Sequence, residues 1–209
     1  MRGRGWNPFR GWAMGLLLCS TSIPSGSSAA GPQSPVEVIR ARNSAVEKIL
    51  ESSGDELSAD AKEKLKDIIN GLMDFRELSR RALAKHWEER TEEERTEFVD
   101  VFRQLIRNSS VKKLSIYRAD SVTYAEPTIR GDKADVTTIA YKGRKTVEIV
   151  YRMHKVGGAW KAYDMVIDGA STARTYRDSF YKEIAKSSYR EMYEKLVRKL
   201  KEEEGQPSG

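Results

Sequence analysis

Between Ser121 and Ile167 the chain alternates apolar and polar residues with a two-residue period, and glycine-bearing turns interrupt it at Lys142-Gly143-Arg144-Lys145 and at Gly157-Gly158. Turns this short join neighbouring antiparallel strands; a parallel pair needs a crossover of a dozen residues or more. The segment is therefore expected to be a meander of about four strands: one begun by Ser121–Tyr124, then 133–141, 146–155 and 159–167. On both sides the period becomes helical. Residues 36–52 carry Ile39, Val46, Ile49 and Leu50 on one stripe. Asp60 with Glu63, Asp74 with Glu77 and Thr91 with Glu94 each place a capping acceptor three residues ahead of an acid, which marks three helix starts. Leu65, Ile68, Ile69 and Leu72 supply the apolar face of the first; Val101, Leu105 and Ile106 belong to the third. A long helix is expected from Ser171 to Glu203, carrying Phe180, Ile184, Met192, Leu196 and Leu200. Helices, meander, helix is the order of an α+β domain, with N-terminal helices, an antiparallel β-meander and a long C-terminal helix.

The first thirty residues do not fit this domain. Arg2, Arg4 and Arg10 precede a short apolar stretch from Trp12 to Cys19, and small residues run to Ser28-Ala29-Ala30. That is the layout of a secretory signal peptide, residues 1–30, cut after Ala30. A lipoprotein cut at Cys19 is the rival, but it needs a small residue just before the cysteine and Leu18 is not one. Residues 31–35 then form a linker, 36–203 one domain and 204–209 a disordered tail. With the leader gone, the chain has no cysteine for a disulfide, thiolate metal site or thiol nucleophile. Losing three arginines and no acid lowers the net charge from +6 to +3. That excess is too small for nucleic acid to be the main partner.

Catalytic patterns are sparse. His86 and His154 lie on different elements, outside any His-Glu-x-x-His pattern, and Gly157-Gly158 is a hairpin turn rather than a phosphate loop. Asp164, inside the last strand, is the one acid expected to sit in a special environment. The basic turn Lys142, Arg144, Lys145 reads as solvated, or as a surface for an acidic partner or anionic membrane.

The strands read as apolar on both faces. Ala134, Val136, Val147, Ile149, Tyr151, Met153, Trp160 and Val166 fall on one; Ile139, Tyr141, Val150, Tyr163, Met165 and Ile167 fall on the other. Such a sheet has to be covered twice, by helices or by a ligand. Small Ala134, Thr138, Ala140 and Ala162 among large Tyr151 and Trp160 fit ordinary interdigitation, or a curved sheet with space above the small residues.

Two segments carry a family resemblance. Tyr163-Asp164-Met165-Val166, Asp168-Gly169-Ala170-Ser171 and Tyr176-Arg177-x-x-Phe180 form the first; Phe75, Leu78, Ala82, Leu83, Trp87, Thr91 and Phe98 form the second. Together they resemble the MlaC-like (toluene-tolerance) family of bacterial periplasmic phospholipid carriers. Ala84 stands where that family usually has glycine, and residues 108–113 are more polar than usual. The resemblance implies a periplasmic, non-enzymatic protein without cofactor. It would hold phospholipid acyl chains in an apolar pocket and pass lipid between an inner-membrane ABC-type complex and an outer-membrane lipoprotein complex. Unshielded transfer of about 16 methylenes through water would cost roughly 12 kcal/mol, a barrier that a pocket removes without covalent chemistry.

On that reading the pocket lies between sheet and helices, lined by residues among Trp87, Phe98, Phe102, Val136, Val147, Ile149, Tyr151, Val166, Tyr176 and Phe180. Arg174 and Arg177, cations at a helix start, either pair with Asp168 or Asp178 or meet a lipid phosphate. The protein is expected to act as a monomer. The alternatives are a carrier of another apolar lipid such as a hopanoid, a small pocket enzyme using Asp164 or His154, and a solid adaptor that docks other envelope proteins.

Overall fold

The computed structural model describes residues 34–53, 57–111 and 119–205. The expected leader, the Gly54-Asp55 break and the last two residues of the polar stretch 108–113 lie outside them. Five helices come first: α1 Pro35–Ser53, α2 Ala59–Gly71, α3 Phe75–Leu83, α4 Lys85–Glu88 and α5 Glu92–Val111. Their starts follow local side-chain chemistry. Asp74 accepts from the Glu77 amide at 3.0 Å, and Thr91 and Glu94 bond reciprocally to each other's amides at 3.2 and 2.9 Å. Two starts differ from expectation. Ser58, not Asp60, caps α2 through the Ala61 amide at 3.1 Å. A Ser34–Glu37 capping box opens α1, so Pro35 is helical rather than linker.

The sheet contains β1 Ser121–Tyr124, β2 Thr128–Arg130, β3 Lys133–Lys142, β4 Lys145–Val156, β5 Ala159–Ile167 and β6 Ala170–Ser171. Its order is β1-β3-β4-β5-β6, with β2 beside the other half of β3, and every pair is antiparallel. The expected four strands are present, extended by the short β2 and β6. At the β5 edge, Met73 forms an isolated bridge to Ala162, which locks the α2–α3 junction to the sheet.

One irregularity changes which residues face the helices. Arg152 pairs with Asp164 and Met153 with Ala162, so Tyr163 is an extra residue in β5. A bulge of this kind exchanges the faces of everything beyond it. Met165 and Ile167 therefore share a face with Tyr151 and Ile149, whereas Val166 lies opposite Val150 on the other face. The strict alternation expected from sequence put these three residues the other way round. On the outer face Ile139, Val150 and Val166 are half-buried.

Three apolar clusters hold the domain together. Ile39 of α1 packs with Val136, Tyr151, Met153 and Trp160 on the inner face of the sheet. Val46 and Leu50 of α1 meet Leu65 and Ile69 of α2. Leu78, Trp87, Phe98, Phe102, Phe180 and Met192 build a purely helical core. Arg42 ties α1 to the sheet through the Tyr151 hydroxyl at 3.0 Å, beside an Asn43–Tyr124 bond of the same length.

The expected long C-terminal helix is two: α6 Thr172–Lys186 and α7 Tyr189–Gly205. Ser188 accepts from the Glu191 amide and restarts the chain as α7. Its Ser-x-x-Glu pattern is a readable start signal hidden inside a continuous amphipathic run. Glu204 and Gly205, expected in the tail, continue α7. Among the described residues no helix is long and apolar enough to cross a membrane.

Candidate functional site

Where the inner face of β4 and β5 turns away from α1, the helices do not close down on it completely. A cavity of about 120 Å³ lies there. Ile149, Met165 and Ile167 form its floor; Ile69, Asn70, Met73 and Leu78 come from α2, α3 and their junction; Ile106, Ser109 and Ser110 come from α5; Thr172 and Tyr176 come from α6. The bulge creates this floor, since without the extra Tyr163 the cavity would face Val166 instead of Met165 and Ile167. The cavity also separates two cores, the sheet–α1 cluster and the helical cluster, and the Met73 side chain packs against both.

Asp164 fixes one wall. Its carboxylate is 2% exposed and accepts from the Ala173 amide at 2.9 Å, the Ser171 hydroxyl at 2.7 Å and Arg152 at 3.3 Å. The first turn of α6 contains no acid, so Asp164 supplies from β5 the negative charge that the helix dipole favours. Thr172 adds a bond to the Met165 carbonyl at 2.8 Å. Together these place Tyr176 over the floor. Burial, and then the charge of Glu203, pushes the Tyr176 phenol above its ordinary pKa, so its proton is retained.

Of the ten residues expected to line a pocket, Ile149 and Tyr176 stand in this wall. Trp87, Phe98, Phe102 and Phe180 instead fill the helical core, where Phe98 and Phe180 meet edge to face at 5.7 Å and Phe102 and Tyr176 at 4.7 Å. Val136 and Tyr151 are packed beneath α1, Val147 lies half-buried beside them, and Val166 points to the outer face. Arg177 pairs with Asp178 at 3.1 Å, while Arg174 is exposed on the first turn of α6; neither contributes to the wall. The space expected above Thr138 and Ala140 measures about 20 Å³, the scale of one water.

Sequence reasoning missed Ile69, Met73, Leu78, Ile106, Met165 and Ile167 as wall residues. Each reads as an ordinary core position, and apolar spacing gives no signal that separates a packed stripe from one with space in front of it.

A second concavity of about 290 Å³ runs between α5 and α7, but Arg90, Glu94, Glu97, Arg190 and Glu194 line it along with Tyr189 and Tyr193. Its arginines already meet acids, Arg90–Glu94 at 3.4 Å and Arg190–Glu194 at 3.2 Å, so it suits neither hydrocarbon nor a strong ion. His154 bonds Asp74 at 2.8 Å and thereby ties β4 to the cap of α3. Among the described residues no group of acids, histidines or cysteines could hold a metal ion.

A cavity floored by one face of an antiparallel sheet and roofed by helices is the arrangement of an α+β domain. The chain belongs to the MlaC protein family, whose model matches residues 41–202. In fold it is similar to a phospholipid-binding protein from Ralstonia solanacearum, solved in complex with a phospholipid, with a TM-score of 0.65, 20% identity, and coverage of 79% of this chain and 96% of that one. Among curated proteins no sequence matches the chain.

Proposed function

We propose that this protein is a phospholipid carrier whose β4–β5 cavity shelters acyl chains. The observation that carries this reading is an apolar chamber between sheet and helices in a member of the MlaC family. The structurally similar Ralstonia protein, itself a phospholipid binder, supports it.

Size decides how the chamber works. At about 120 Å³ it is close to the void that takes one benzene ring, far short of a chain of about 16 carbons. Lipid entry therefore requires the walls to part. The partition between two separately packed cores is where they can do so at least cost, because each core keeps its own contacts. Met73 and Met165 suit a wall that must repack around a chain, since thioether side chains are unbranched and adaptable. Arg174, exposed on the first turn of α6 two residues beyond Thr172, is the cation this reading assigns to a head group outside the chamber.

The carrier acts in the periplasm, delivered there by the leader at residues 1–30, and exchanges lipid with inner- and outer-membrane complexes as a monomer. No bond is made or broken. Asp164 and His154 act as anchors, for α6 and α3 respectively, which favours a carrier over a pocket enzyme. Native mass spectrometry of gently purified protein is expected to show mass increments that fragment as phospholipid. Folded protein that is reproducibly free of lipid would overturn the proposal, and a terpenoid increment would favour a hopanoid-type cargo.

A further inference from the structure

The chamber contains one polar corner, and its hydrogen-bond inventory is lopsided. Asn70, 4% exposed, donates both amide hydrogens to the protein: to the Lys66 carbonyl at 2.6 Å and to Ser110 Oγ at 3.2 Å. The Ser110 hydroxyl donates to the Arg107 carbonyl at 2.7 Å, and the Ser109 hydroxyl to the Ile106 carbonyl at 2.9 Å. Across the chamber the Thr172 hydroxyl donates to the Met165 carbonyl at 2.8 Å. The donor hydrogens of these four side chains are thus used within the protein, and what they offer the chamber is lone pairs. Among the described residues of the wall the remaining polar hydrogen, on Tyr176, sits in the field of the Glu203 carboxylate.

Acceptors that face an apolar space without a donor are costly to bury. An ester, ether or phosphate oxygen brings further lone pairs and relieves nothing. A hydroxyl brings the missing hydrogen. We propose that the Asn70–Ser110 corner is a subsite for a hydrogen-bond donor, so that the chamber prefers a hydrocarbon chain carrying a hydroxyl over one of equal size carrying only ether or ester oxygen. This rests on the reading of the cavity as the chamber for lipid chains. It adds that ester oxygens are held outside while a hydroxylated chain is held within.

The test compares two isomers, 1-octanol and heptyl methyl ether, each titrated into the full-length mature chain and followed by NMR of the methionine methyls. Binding in the chamber shifts Met73 and Met165, which line it, and leaves Met192 in the helical core unmoved. A merely apolar cavity would favour the ether, because the alcohol gives up more hydration. A donor subsite reverses the order, and octanol is expected to bind about threefold to tenfold more tightly. Asn70→Leu and Ser110→Ala should each bring the ratio to about one or below while both isomers still shift Met73 and Met165. The proposal is overturned if the ether binds as well as octanol in the natural protein, if both variants keep the preference, or if neither isomer shifts Met73 or Met165. Phospholipid that co-purifies with a protein showing no octanol preference would remove the subsite and leave the carrier reading intact. A protein without lipid that still prefers octanol would do the reverse.

Discussion

Ala84 and Asp164 show how single residues set the site's geometry. Ala84 joins α3 to α4 with φ 44° and ψ −114°, a conformation that glycine adopts freely and alanine resists. Its neighbours hold it there: the Lys85 amide donates to the Tyr181 hydroxyl at 3.3 Å, and Trp87 is buried in the helical core one turn on. Ala84→Gly should relieve more strain than it adds in unfolded-state entropy, a net stabilisation of about 1 kcal/mol readable in urea denaturation. An unchanged or lowered midpoint would refute the strain. Asp164 works in the opposite sense, with every bond at a buried carboxylate satisfied. Asp164→Ala leaves the Ala173 amide and Ser171 hydroxyl without their acceptor and is expected to cost about 3 kcal/mol. Hydrogen exchange should then quicken first in the opening turn of α6, and uniform loss across the domain would count against this local role.

At the scale of elements, the helix starts carry their own charge logic. Glu77, in the first turn of α3, is pushed up by burial, but hydrogen bonds and charge from Arg80 and Arg81 outweigh this and leave its pKa below the ordinary 4.5. A carboxylate depressed on folding adds stability that is whole above its unfolded pKa and disappears as pH falls through the folded one. The natural protein should therefore lose stability more steeply than Glu77→Gln below about pH 4.5, measured by thermal melts across an acid series. Parallel slopes would refute the assignment. Caps of this kind were legible in the sequence because they act within four residues: Asp74, Thr91 and Ser171 all open helices where their spacing indicates. The Ser188 restart was equally local, but the apolar stripe continues across it and masks the break. The bulge at Tyr163 was not legible. An extra residue shows itself only against the partner strand, and Tyr163-Asp164-Met165 reads as unbroken alternation by itself. The cavity followed it out of reach: its floor depends on that register, and its roof comes from helix ends whose apolar residues look like core.

Taken as a whole, the described residues pack into three apolar cores, two of which flank the cavity, and the proposed function turns on whether hydrocarbon occupies it. The large aromatics that sequence reasoning placed around the ligand, Phe98, Phe102 and Phe180, pack against one another and make the helical half rigid. The space itself has mainly aliphatic and thioether side chains around it, which can move, beside the polar corner at Asn70 and Ser110. Neighbouring residues of β5 then offer a matched pair, since Ile167 faces the chamber and Val166 the opposite side of the sheet. Native mass spectrometry of Ile167→Trp and Val166→Trp beside the natural protein asks whether lipid sits on that face. The account predicts that the natural protein and Val166→Trp carry the same complement of lipid, and that folded Ile167→Trp carries almost none. Equal lipid on both variants would contradict it.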